Sequence, residues 1–238
     1  MIRPALAFAL VMQATTTTCP RVPRYVPLST PFPLTYGGTP VPGNGVGVAY
    51  EGGKALRGPR GNEGKITSFQ LAAGVADRVS ASVGPYSSGG EDAPSGTILR
   101  LKLRLGGVLG ARSSTSLHFA SASMQSTVGN TANERLSVLD FALPTEFLLW
   151  GDSVASLAAV LGPRFTFAMY DSTYAAHTRT AYRGLLAGVH AKTGRLHMFA
   201  EATVTRVPTP QGGTRTAVVP VFGVMLHAGS AFKWGREH

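Results

Sequence analysis

The sequence predicts an all-β chain folded as an up-and-down antiparallel transmembrane β-barrel of about ten strands (roughly 8–12). Three observations carry this prediction. Leu99, Leu101, Leu103 and Leu105 alternate with Arg100, Lys102 and Arg104, and a period of two puts the leucines on one face of a strand and the cations on the other. Comparable alternation recurs about ten times along the chain. The connections between these segments alternate between long and short, as they do in a barrel that crosses a membrane. Composition agrees. Charged residues are 14% of the 238 and there are 29 glycines, against ~25% charged in an average soluble domain. A mean hydropathy of +0.10 is too low for a bundle of membrane helices. The low charge is equally unlike a disordered chain.

Taken in order, Met1-Ile2-Arg3 is a short positive start and Pro4–Met12 an apolar run too short to span a bilayer as a helix. Residues 1–18 therefore read as an export signal. The segment resembles a bacterial lipoprotein signal ending at Cys19, although Thr16 stands where such signals carry a Leu-like residue. The resemblance implies lipidation of Cys19. As the sole cysteine, Cys19 allows neither an internal disulfide nor a cysteine-cluster metal site. Residues 19–44 are proline-rich, which forbids helix interiors and central strands; they read as an extended periplasmic lead-in. The barrel is expected over 45–238.

Ten segments follow. Gly45–Glu51 places Val46, Val48 and Tyr50 on one face, and Lys65–Gly74 does the same with Phe69 and Leu71. Arg78–Tyr86 aligns Val79, Ala81, Val83 and Pro85, and Thr97–Leu105 carries the leucine and cation faces described above. In Ser116–Gln125, Leu117 and Phe119 oppose His118; in Arg135–Trp150, Leu139, Phe141, Leu143, Phe147 and Leu149 oppose Asp140 and Glu146. Ser156–Tyr170 sets Leu157, Leu161, Phe165, Phe167 and Met169 against Arg164 and Thr166. Ala181–Ala191 is the eighth segment. Arg195–Val207 sets Leu196, Met198, Ala200, Ala202 and Val204 against His197, Glu201, Thr203 and Thr205, and Ala217–Phe232 is the tenth.

Long polar connections are expected at Gly52–Gly64, Ser87–Gly96, Ser126–Glu134, Asp171–Thr180 and Pro208–Thr216. Tight ones are expected around Val75–Asp77, at Gly151–Ser153 and at Lys192-Thr193-Gly194, where glycine supplies a positive φ. Gly106–Thr115 is intermediate. Phrases such as GVADRVSASVGPY (Gly74–Tyr86) resemble the strand–turn–strand units of small bacterial outer-membrane β-barrel proteins. The resemblance covers the chain from Gly45 on and is one of pattern. It implies a bacterial outer-membrane location, with both termini periplasmic for an even strand count. Tyr86, Trp150, Tyr170, Tyr182, Phe232 and Trp234 lie near strand ends, where aromatic girdles belong. The tail Gly235-Arg236-Glu237-His238 departs from the terminal aromatic of such barrels.

The faces opposite the apolar ones define a lumen. It is expected to hold a charge network of Arg100, Lys102, Arg104, Asp140, Glu146, Arg164 and Glu201, with His118, His190 and His197 beside it. Three successive cations on one strand need anions or water nearby. The favoured expectation is a salt-bridged plug, because a barrel of this size is barely wider than its own side chains. The function expected is that of a non-enzymatic structural, surface or envelope-complex protein. The alternatives are a narrow anion-preferring channel, and a soluble secreted or lipid-anchored β-sandwich or lipocalin-like binder. No G-x-S-x-G, metal-ligand spacing or phosphate loop occurs, so no catalytic residue, metal or cofactor is expected. The net charge of +10 suits contact with an anionic membrane. The basic residues neither cluster in an arm nor interleave with aromatics, so outer-membrane lipid, with other envelope proteins as further candidates, is expected as partner rather than nucleic acid.

Overall fold

The computed structural model of the protein describes residues 29–30, 45–57, 62–76, 78–87, 95–107, 109, 112–128, 132–151, 154–172, 175–208 and 213–228. The expected export signal, Cys19, and the tail with Phe232 and Trp234 lie outside the described residues. Strands in chain order are β1 (Ser29–Thr30), β2 (Val46–Arg57), β3 (Asn62–Ala76), β4 (Val79–Ser87), β5 (Ser95–Gly106) and β6 (Ser113–Val128). They continue with β7 (Ala132–Ala142), β8 (Thr145–Gly151), β9 (Ala155–Ser172), β10 (Ala175–Thr193), β11 (Leu196–Pro208) and β12 (Thr214–Ala228).

From β2 to β12 the neighbours are antiparallel and consecutive, and β12 pairs back onto β2 from Val221↔Gly53 to Ala228↔Val46. The sheet is therefore a closed up-and-down barrel. β7 and β8 share the same two neighbours, β6 and β9, and form one stave interrupted at Leu143–Pro144. Proline cannot donate to a ladder, but the Pro144 carbonyl still accepts from the Ser116 N–H at 3.0 Å and Leu143 N–H donates to Pro163 at 3.0 Å. Counting β7 and β8 together gives a ten-stave barrel. Each stave overlaps one of the ten alternating segments of the sequence.

One end of the barrel carries Gly45 and Ala228 and is called the terminal end; the other is the distal end. At the terminal end the β10–β11 hairpin closes in two residues, Thr193 facing Leu196, with Gly194 at φ 55°. A β-carbon there would be strained, so the expected glycine turn is present. At the distal end, strands run into three of the stretches expected as long loops, Gly52–Gly64, Ser126–Glu134 and Asp171–Thr180. β2 and β3 run on to pair Arg57 with Asn62, and β6 and β7 pair out to Val128 and Ala132. Polar composition does not prevent these stretches from pairing, because a ladder needs only backbone partners.

The pairing of β2 with β12 stops at Gly53, which leaves the last residues of β2 with a bare edge. Ser29–Thr30 pairs there, Ser29 with Arg57 and Thr30 with Leu56. A bare edge offers unpaired N–H and C=O groups that another segment can satisfy. The lead-in was expected at the end of the barrel where Gly45 lies; its described residues sit at the opposite end.

Side-chain polarity reverses along the barrel axis. Near the terminal end, Leu117, Phe141, Leu161, Phe165 and Val189 are exposed outward, and Ser116, His118, Asp140, Arg164 and His190 are buried inward. Toward the distal end the order inverts. On β6, Ala120, Ala122 and Met124 are buried while Ser123 and Gln125 are exposed. On β7, Leu136 and Val138 are buried and Arg135 is exposed; on β3, Ile66 is buried between exposed Lys65 and Thr67. The distal lumen is thus filled by an apolar cluster including Ile66, Tyr86, Ile98, Met124, Leu136, Tyr182 and Val219. This corrects the expected aromatic girdle. Tyr86 and Tyr182 point inward and are buried, Tyr170 packs half-buried against the same cluster, and Trp150 is exposed.

Candidate functional site

The residues that could carry function converge in the lumen at and below mid-height. Alternation delivers them: each stave presents every second side chain to the axis. β5 supplies Arg100, Lys102 and Arg104; β7 and β8 supply Asp140 and Glu146; β9 supplies Arg164; β10 supplies His190 and Lys192; β11 supplies His197 and Glu201. All the residues expected in the lumen charge network are among the described residues; Cys19, expected to be lipidated, is not. Arg104 is half-buried and the others are buried.

The structure brings these residues together in three groups. Arg100 makes a two-pronged bond to Glu51, Nη1–Oε1 2.8 Å and Nη2–Oε2 2.6 Å. Planar guanidinium and carboxylate match in this geometry, and the pair is strong and directional. Arg164 donates from Nε to Asp140 at 3.1 Å and from Nη1 to the Thr203 hydroxyl at 2.9 Å, and Thr166 donates to the same Asp140 oxygen. His190 bridges two carboxylates, with Nδ1 2.6 Å from Glu146 and Nε2 2.7 Å from Glu201. A ring that serves two carboxylates donates from both nitrogens. Gly188 is required beside this group: a β-carbon there would meet the Ala200 carbonyl at 2.6 Å and Glu201 Cγ at 2.9 Å. Lys102 faces His118 across β5 and β6 and lies in the field of Glu146 and Glu201.

One partner was missing from the sequence-derived set, and one role was not legible in it. Glu51 supplies the anion for Arg100, and its position one step out of phase with Val46, Val48 and Tyr50 already marked it as inward. His190 was read as an inward histidine, yet its bridging role depends on Glu146, which the turn at Pro144 delivers from a stave two places away. His197 is 1% exposed, and neither ring nitrogen has a hydrogen-bond partner. Its ring lies 5.4 Å from that of His190 and 6.4 Å from that of His227, stacked on the latter. Ligand atoms of Glu146, His190 and His197 all lie within 4.8 Å of one another.

Ser116 and His118 are hydrogen-bonded at 2.8 Å, but both are buried in the lumen on one strand. A nucleophile and base so placed meet neither lipid nor the bulk solvent.

No family model matches the chain, and no curated protein matches it. Among solved structures it is similar to Ail, the attachment invasion locus protein of Yersinia pestis, in complex with the heparin analogue sucrose octasulfate. That match has 9% identity and a TM-score of 0.35, covering 78% of this chain and 99% of the other. A second Ail structure matches with 10% identity and a TM-score of 0.32 over the same shares. The closed ten-stave barrel rests on its own strand pairings.

Proposed function

We propose that the protein is a non-enzymatic outer-membrane β-barrel, plugged by its own side chains, that acts as a structural or surface component of the cell envelope. The observation that carries this reading is the reversal of polarity along the axis. Lipid requires an apolar exterior and full backbone pairing, which a closed sheet provides; water favours the opposite exterior. One stretch of this barrel suits the first medium and the next stretch suits the second. β9 and β10, of 18 and 19 residues, exceed the ~9–11 residues that cross a bilayer, so they are long enough for both.

On this reading both barrel ends near Gly45 and Ala228 are periplasmic and the distal end projects from the cell. Residues 1–18 would direct export. Outward-facing Lys54, Lys65, Arg135, Arg179, Arg183 and Arg206 lie where the apolar band gives way to the distal part, with Asp171 the exposed acid near them among the described residues. Four of the acidic side chains, Glu51, Asp140, Glu146 and Glu201, are turned inward. Among the described residues the outward cations therefore outnumber the outward acids at this height, which suits the phosphates of outer-leaflet lipid. A channel is disfavoured by the apolar cluster that fills the distal lumen, and a sandwich by the pairing of first and last staves.

The test is membrane fractionation followed by electrophoresis of unboiled and boiled samples. An outer-membrane protein whose unboiled band migrates faster supports the reading. A protein recovered without detergent, with one mobility in both samples, would sink it.

A further inference from the structure

We propose that Glu146, His190 and His197 form a binding site for a divalent transition-metal cation, with zinc the best match to two imidazole nitrogens and one carboxylate oxygen. The site is assembled from β8, β10 and β11, close to the β10–β11 hairpin, so it lies toward the terminal end of the lumen. Three independent features point to a cation. The three ligand atoms already lie within 4.8 Å of one another; tetrahedral zinc at ~2.0–2.1 Å from each donor needs them ~3.3 Å apart, so the Glu146–His190 pair, 2.6 Å apart, would part slightly to admit the ion while His197 completes the set. His197 is buried with both nitrogens lacking hydrogen-bond partners, an arrangement that normally signals a missing partner. The third feature is Glu201, which accepts from His190 Nε2 at 2.7 Å. A metal-bound histidine characteristically donates its other N–H to a carboxylate, which orients the ring and raises its basicity.

The charges balance. In the metal-free cluster the proton on His190 Nδ1 is shared with Glu146 at 2.6 Å. Binding releases that proton to solvent, and Nδ1 and the Glu146 oxygen then face the cation in its place. Glu146 and Glu201 together carry the two negative charges that match the dication. His118 takes no part, because its ring is bonded to Ser116.

The test uses the full chain, without an affinity tag, folded in detergent and stripped of metal. It is titrated with zinc against a chromophoric chelator and with cobalt(II), whose visible absorption reports low-symmetry N/O coordination. One ion per chain is expected, lost in His197→Ala, weakened about 10–100-fold in Glu201→Gln and unchanged in His118→Ala. His197 makes no hydrogen bond, so its variant should retain the fold, as the unboiled gel mobility verifies; Glu146→Gln provides a second ligand variant. Absence of stoichiometric uptake by the folded chain, or uptake unchanged in both His197→Ala and Glu146→Gln, overturns the site. The proposal does not depend on the lumen being closed.

Discussion

Arg100 and Glu51 meet as full charges in a space that excludes water, so neither can be altered alone without leaving the other uncompensated. Removing one member of such a pair costs roughly 3–5 kcal/mol, whereas replacing both by apolar residues of similar volume is often close to neutral. Arg100→Ala should therefore destabilise the barrel by about that amount, and the double change Arg100→Met with Glu51→Leu should recover most of it. Urea titration of the folded fraction, read by gel mobility, checks both; equal losses in the single and double variants would show that the pair is not the cause. The next residue, on the other side of the strand, obeys the opposite rule. Leu101 is 46% exposed and faces Phe119 and Ala81 across its neighbours. A cation on the lipid face at mid-depth costs about 2–4 kcal/mol, so Leu101→Arg should impair membrane assembly. A near-neutral result would mean that this face is wet.

Within single staves the apolar phase switches sides. Along β7 the apolar residues are Leu136 and Val138, then Leu139, Phe141 and Leu143; the parity changes between Val138 and Leu139. The first pair is buried and the rest face outward; on the proposed reading the medium outside the barrel changes there from water to lipid. β6 makes the same switch between Phe119 and Ala120. This predicts a boundary that chemistry can locate. In a chain carrying Cys19→Ser, a cysteine at Ser123 should react in intact cells with a membrane-impermeant maleimide, and one at Phe119 should not. Equal labelling at both positions would remove the boundary. The polar stretches around Gly52–Gly64 and Asp171–Thr180 looked like loops because their outward faces are polar. They are mostly strand, since a ladder needs backbone partners and not an apolar exterior.

At the scale of the molecule, closure and filling determine what can pass through. The mid-lumen is occupied by paired charges, and the distal lumen by side chains among which Tyr86, Tyr182, Ile98, Met124 and Leu136 are almost wholly buried. Planar bilayers containing the protein should stay at baseline conductance. Steady anion-selective steps would favour the channel reading instead. The external charge gives a second prediction at this scale. Changing Lys54, Lys65, Arg183 and Arg206 together to serine should weaken association with lipopolysaccharide, and the difference from the unaltered chain should shrink as salt rises, because exposed charges are screened beyond ~10 Å at 0.1 M.

The sequence by itself determined that there are about ten staves, their order and, along the apolar band, which side chains face inward. Those properties follow from a period of two and from local turn chemistry, both of which act over a few residues. Even Pro144 was compatible with a single sixth segment, because its stave keeps both neighbours. What only the tertiary structure decided is which inward groups meet. Glu51 reaches Arg100 from three staves away, and His190 lies between Glu146 and Glu201 because barrel closure and shear set their heights on the axis. The same holds for the distal apolar cluster, for Tyr86 and Tyr182 turned inward rather than into a girdle, and for Ser29–Thr30 on the bare edge of β2. Alternation assigns a side chain to a face, but partners across the lumen are set by the stagger of strands far apart in the chain.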